Sequence, residues 1–236
     1  MMFKDQWVKD CCWSNMEYIS GSVRGVVVSF HGLGAAIRQG GTELDLALAE
    51  KDILTVVPYY GPWSWMNRIS RQFVDELLER VWKDLALPED LPLISSGGSM
   101  GGCAALLYCR YGKRVPVAAD LLYPVCDTLF HYHERPDLPT SLNCAYYGYA
   151  EPWEEVLKEH SPLHQLDKMP RIPYLFIHGC ADDRVSKKAH SDAMTAALRQ
   201  AGHQVEYLEI PGMRHGYNVP LKVHEKRLDF ICKAVG

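Results

Sequence analysis

No stretch of this 236-residue sequence is apolar for long enough to cross a bilayer, which takes about 20 consecutive residues. The first ten residues alternate charged and apolar side chains and lack the apolar core of a secretory signal. Eight cysteines are present but no C-x-x-C pair, so neither a zinc ribbon nor a thioredoxin-type motif is expected. Cys11 and Cys12 are adjacent and the others lie scattered through apparent core segments, which predicts free buried thiols and a reducing cytoplasm. Long basic runs are missing too, and a net charge of −4 sets nucleic acid aside as a partner. Internal repeats, linkers and low-complexity tracts are absent. With 47 % hydrophobic residues, the chain is expected to form a single domain around one substantial core.

What the sequence does have is alternation. Residues 23–30, 53–57, 91–94, 117–125, 171–177 and 204–210 read as strands, and 16–19 as an edge strand. Between them, 42–50, 73–85, 104–111, 186–201 and 221–235 carry apolar residues at helical spacing or helix-end signals such as Thr42, Ser186 and Gly202. The Val-rich run 23–30 suits a strand buried on both faces. The expected fold is α/β: a mostly parallel sheet flanked by helices on both faces, with right-handed crossovers. Segment 126–160 is too long and irregular for an ordinary connection and is expected to cap the carboxyl edge of the sheet, where ligands bind in such folds.

One turn carries chemistry. Gly97, Ser99 and Gly101 spell G-x-S-x-G between a strand and a helix-like run. Glycines two residues either side of a serine relieve the crowding of a sharp strand-to-helix turn, and the N–H of Met100 then points from a helix N-terminus at a developing oxyanion. A serine hydroxyl needs a base, and the base needs an orienting acid. In this architecture both follow the serine, the acid before the histidine. Asp182 and Asp183 follow the strand 171–177, and either can orient the base or favour the dipole of the next helix. His215 stands on the loop after the last strand, whereas His190, His203 and His224 sit on or beside helices and read as surface residues. The turn His31-Gly32-Leu33-Gly34 can place the Leu33 N–H opposite that of Met100.

These residues resemble the α/β-hydrolase superfamily over roughly 23–235. The later half is most similar to prolyl-oligopeptidase-like and dienelactone-hydrolase-like esterases, where S-P, then P-x-L-x-I-H-G-x-x-D-x-x-V, is familiar. Here that pattern reads Ser161-Pro162, then Pro173 to Val185, and G-x-x-H-G reads Gly212 to Gly216. Aligning Val185 three places after the acid selects Asp182 over Asp183. A serine at the elbow, rather than a cysteine, argues against a true dienelactone hydrolase.

The expected function is a carboxylesterase acting on small-molecule esters through an acyl-enzyme, with Ser99 as nucleophile, His215 as base and Asp182 as its orienting acid. Leu33 and Met100 would supply the oxyanion hole, and Tyr59, Tyr60, Trp63 and Trp65 would line the substrate pocket. No cofactor is required. The alternating pair His131 and His133 lacks a third ligand nearby, so no metal is expected. A peptidase or acyltransferase on the same triad, and a catalytically silent binding protein of the same fold, are the alternatives.

Overall fold

Side chains that alternate between two apolar environments build the sheet. In the computed structural model, which describes residues 2–35, 38–216 and 218–236, Val26 and Val28 pack into one core while Val27 packs into another. Tyr174 and Phe176 divide from Leu175 and Ile177 in the same way. A period of two with both faces apolar belongs to a strand covered by helices on each side.

The chain opens with α1 (Gln6–Cys11), β1 (Cys12–Ser14) and β2 (Gly25–Phe30), followed by α2 (Glu43–Ala49), β3 (Ile53–Pro58) and α3 (Arg68–Leu85). Then come β4 (Leu93–Gly98), α4 (Met100–Tyr111) and β5 (Ala118–Leu122). Three short helices follow, α5 (Thr128–His131), α6 (Leu138–Ala145) and α7 (Trp153–Glu159). The chain closes with β6 (Tyr174–Gly179), α8 (Ala193–Gln200), β7 (Val205–Ile210) and α9 (Leu221–Val235). The seven strands lie in the order β1-β3-β2-β4-β5-β6-β7, parallel throughout except where β1 pairs antiparallel with β3. Helices α2 and α9 pack on one face; α1, α3, α4 and α8 contribute to the core on the other.

The edge strand is displaced from its expected place. It forms at β1, while Met16–Tyr18 makes a 3₁₀ turn. The cause is Asn15, fully buried between them. Its amide donates to the carbonyls of Asp45 and Ile53, and its Oδ1 accepts the Thr55 N–H at 2.7 Å. A side chain so anchored ends the strand and turns the chain. The helix expected over 186–201 also divides, into a π-helical turn at Lys188–Asp192 and α8. His190 and Ser191 are both drawn fully inside there, and the wider turn carries them inward. The expected cap of α2 is present as a capping box between Thr42 and Asp45.

Between β5 and β6 the chain makes its long excursion. Helix α6 docks on the start of α3: Trp65 Nε1 donates to Ser141 Oγ at 3.1 Å, and Asn67 Nδ2 to the Ala145 carbonyl at 2.9 Å. All eight cysteines are free, with Cys103, Cys109 and Cys126 buried; Cys144 and Cys180 are exposed, so not every thiol is a core residue as expected. No described helix is long and apolar enough to cross a membrane. Beyond β6, strand β7 lies at the border of the sheet, where Glu206 pairs with Lys226 at 2.5 Å and Glu209 with Lys187 at 2.6 Å.

One buried ion pair bolts α9 to the middle of the sheet. Arg227 Nη2 lies 2.7 Å from Asp120 Oδ2 and donates to Ser96 Oγ at 3.2 Å, while Ser96 donates to Asp120 at 2.7 Å. Asp120 has no solvent exposure. Removing one partner strands the other charge. Arg227→Met is therefore expected to cost about 3–5 kcal/mol in urea denaturation, and the double variant Asp120→Leu/Arg227→Met to recover a large part of it. A double variant no more stable than the single one would show that charge pairing is not the dominant effect.

Candidate active site

The strand β4 passes into α4 through a single residue, Ser99, with φ 58° and ψ −125°. A non-glycine residue held there stores strain. Two glycines make the turn possible: a Cβ on Gly97 would lie 2.2 Å from the Gly101 carbonyl oxygen, and one on Gly101 would lie 2.1 Å from that of Phe30. The Ser99 N–H donates to the Leu122 carbonyl at 3.1 Å, and the Ser99 carbonyl accepts the N–H groups of Cys103 and Val125. The hydroxyl is thus presented from a fixed backbone at the carboxyl ends of β4 and β5.

Loops after β6 and β7 bring up the partners. His215 Nε2 lies 3.0 Å from Ser99 Oγ, and His215 Nδ1 lies 2.8 Å from Asp182 Oδ2. The two loops are tied together where the Met213 carbonyl accepts the Ala181 N–H at 3.1 Å. Asp183 points the other way, half-exposed and paired with Arg214 at 2.6 Å. Asp182 is shielded instead. Its Oδ1 accepts the N–H groups of Arg184 and Val185, and its Oδ2 also lies 3.3 Å from His178 Nε2. Burial pushes its carboxyl up, but hydrogen bonds from His178, His215 and the two amides outweigh burial and hold it well below the usual carboxylate range. The acid stays ionised beside its imidazole. Serine and imidazole are in hydrogen-bond contact, the arrangement of a serine hydrolase.

The turn at Leu33 is held by the Gly34 N–H donating to the Pro62 carbonyl at 2.7 Å, and by Tyr60, whose hydroxyl donates to the His31 carbonyl at 2.8 Å. Met100, the first residue of α4, has no carbonyl one turn back within the helix for its N–H. A cleft of about 1030 Å³ opens over Ser99 and His215 and includes Leu33 in its lining. Of the four aromatic residues expected there, Tyr59 and Trp65 line it. Tyr60 lies beneath, stacked on His31 with ring centres 4.3 Å apart, and Trp63 is 56 % exposed outside the described lining.

Three features escaped the sequence reading. Tyr123, just past β5 with φ 39°, packs against His215 with the rings tilted and their centres 4.4 Å apart. His178 is fully buried; Ser191 Oγ lies 2.7 Å from its Nδ1, and the Val185 carbonyl 3.1 Å from its Nε2. Its place four residues before Asp182 was the available signal. His190, expected at the surface, is wholly buried and faces Glu134 and His131. These three side chains are the one trio among the described residues close enough together to hold a metal ion. The chemistry of the donors opposes it. His190 Nδ1 accepts the N–H groups of Cys126 and Asp127, both at 3.2 Å, so its proton sits on Nε2 and no lone pair is left there for a cation.

The model of the prolyl oligopeptidase family matches residues 90–236, which include all of Ser99, Asp182 and His215. The chain belongs to the prolyl oligopeptidase family. The chain carries a serine-hydrolase arrangement on an α/β-hydrolase fold, and the solved structures it is similar to include both peptidases and an esterase. Among solved structures it is similar to a puromycin-hydrolyzing peptidase of Mycobacterium tuberculosis, at 21 % identity and TM-score 0.70 over 91 % of this chain and 35 % of that one. It is similar to Pyrococcus horikoshii acylaminoacyl peptidase at 16 % identity and TM-score 0.74, over 91 % and 37 % of the two chains. Esterase B of Lactobacillus rhamnosis matches at 14 % identity and TM-score 0.73, over 92 % and 76 %. At these identities the likeness shows the α/β-hydrolase fold, and the chain spans about a third of the length of either peptidase. No curated protein matches the chain.

The buried, donor-rich Asp182 predicts a pH signature. Its depressed value means that its charge stabilises the fold fully above the ordinary carboxylate range and progressively less as pH falls through the folded value. Asp182→Asn is expected to lower stability at pH 7 by about 1–3 kcal/mol, with the gap to wild type closing below about pH 4. Urea midpoints measured across that range check it; a gap that ignores pH would show that the charge of the carboxylate is not what the fold uses.

Proposed function

We propose that the chain is a carboxylesterase acting on small-molecule esters through an acyl-enzyme. The observation that carries this reading is the unbroken contact line from Ser99 Oγ through His215 to Asp182 on the wall of an open cleft. Ser99 Oγ attacks the ester carbonyl while His215 Nε2 takes its proton. Asp182 fixes the proton of the resting imidazole on Nδ1 and stabilises the imidazolium. The N–H groups of Leu33 and Met100 hold the oxyanion as the carbonyl carbon becomes tetrahedral. Collapse expels the alcohol, which leaves with the proton from His215; water, deprotonated by the same nitrogen, then releases the acid.

Tyr59 and Trp65 give the cleft an apolar, aromatic wall for the acyl or alcohol part, and the segment 126–160 serves as the cap, supplying His131 and Arg135 to the same lining. The likeness to esterase B across 76 % of that enzyme supports an ester over a peptide bond. Eight free thiols fit a reducing compartment, and we place the protein in the cytoplasm. A second reading, a peptidase on the same triad, is favoured by the family model and by the puromycin-hydrolyzing relative.

Hydrolysis of p-nitrophenyl esters over an acyl-chain series tests both readings, with folded Ser99→Ala alongside. Turnover by the wild type and a loss of about 10⁴-fold or more in the variant are expected. Activity that survives the substitution would refute the assignment, and peptide p-nitroanilides cleaved faster than the esters would replace esterase with peptidase.

A further inference from the structure

The described residues hold a second carboxylate flanked by two imidazoles, one of which, His131, lines the same cleft. Glu134 Oε2 lies 2.5 Å from His131 Nδ1 and 3.0 Å from His190 Nε2, while Oε1 accepts the Ser186 N–H at 2.5 Å. His131 and His190 are 1 % and 0 % exposed. In so closed a setting the protons can be placed one after another. The two backbone donors on His190 Nδ1 put its proton on Nε2, where it is donated to Glu134. Burial pushes the Glu134 carboxyl up, but hydrogen bonds from His131 and His190 outweigh it and hold it well below the ordinary range, so it is an anion with acceptors only. Its contact with His131 therefore requires the proton on Nδ1. Burial also pushes His131 down from its ordinary value against the pull of Glu134, which leaves the ring neutral at pH 7.

The remaining nitrogen, His131 Nε2, then carries a lone pair. The contact with Glu134 is made through the other nitrogen, and the ring, edge-on to Trp65 at 5.4 Å, belongs to the lining of the cleft that holds Ser99 and His215. We propose that His131 Nε2 is a hydrogen-bond acceptor for the substrate, locked in one tautomer by Glu134, and that the cleft selects esters bearing an O–H or N–H group near the reacting carbonyl. The proposal rests on the serine-hydrolase reading and narrows its substrate class. An arm with a methyl in place of the donor leaves a desolvated lone pair unmatched, and that mismatch supplies the discrimination.

The test uses p-nitrophenyl alkylphosphonates whose arms carry a hydroxyl at successive carbons, each against its methyl isostere. Ser99 Oγ forms the bond to phosphorus, p-nitrophenolate leaves, and the serine proton passes to His215; the rate is read from phenolate release and from the intact mass. At one position the hydroxylated arm is expected to react about tenfold faster or more than its isostere, as one well-made hydrogen bond allows. In His131→Phe that ratio should fall to about one, as expected when a lost hydrogen bond is what separates the two arms. A measurement on the wild type stands independently of how that variant folds. Long-range ¹H–¹⁵N correlations should show His131 protonated on Nδ1 and His190 on Nε2. Absence of any preference for a hydroxyl, a preference that survives in His131→Phe, or a His131 proton on Nε2 would each overturn the proposal. Failure of every phosphonate to modify Ser99 would instead bring down the hydrolase reading, and this one with it.

Discussion

Where β4 turns into α4, the Gly101 carbonyl stands so close to Gly97 that a methyl there would meet it at 2.2 Å, and the end of β2 crowds Gly101 as closely. Glycine at those two positions makes room for the turn at Ser99, whose positive φ costs about 1–3 kcal/mol for a side chain of its kind. The cost is tolerated because the surroundings over-determine it. Leu122 takes the Ser99 N–H, two N–H groups take its carbonyl, and the Asp120–Arg227 pair fixes the strands just below. The hydroxyl therefore stands still while loops bring chemistry to it.

Charge is arranged on the same plan at two places. Asp182 and Glu134 are both shielded carboxylates, each facing two imidazoles and at least one backbone N–H. The two sites are also joined. Glu134 takes the N–H of Ser186, and Arg135 donates to the Arg184 carbonyl at 3.2 Å, so the segment over the cleft is fastened to the loop that holds Asp182. Placement of Asp182 and placement of the segment after β5 are thus parts of one network.

Much of this could be read in the chain. Period-two and helical patterns gave the alternation of strands and helices because burial on both faces leaves little choice of residue. Ser99, Asp182 and His215 could be named because each follows a strand end, where spacing and order are informative. What escaped depends on contacts distant in sequence. Asn15 ends β1 by bonding to residues 30 and 40 positions away. The inward turn of His190 is set by Cys126 and Asp127, more than 60 positions earlier. His131 and Glu134, three apart, could have been paired from spacing alone, but not the third partner that fixes their protons. Tyr60 and Trp63 show the limit of composition: an aromatic-rich loop near a site says nothing about which rings face the ligand.

An open sheet of seven strands has two borders at which a second chain could in principle add another strand. β1 offers three residues, too short a ladder to template much. The longer border, β7, carries Glu206 and Glu209, each engaged by a lysine from a neighbouring helical segment or turn. An incoming strand would lie beside these charged side chains. The two ion pairs, worth little to the stability of the exposed surface they occupy, thereby act as guards against edge-to-edge aggregation.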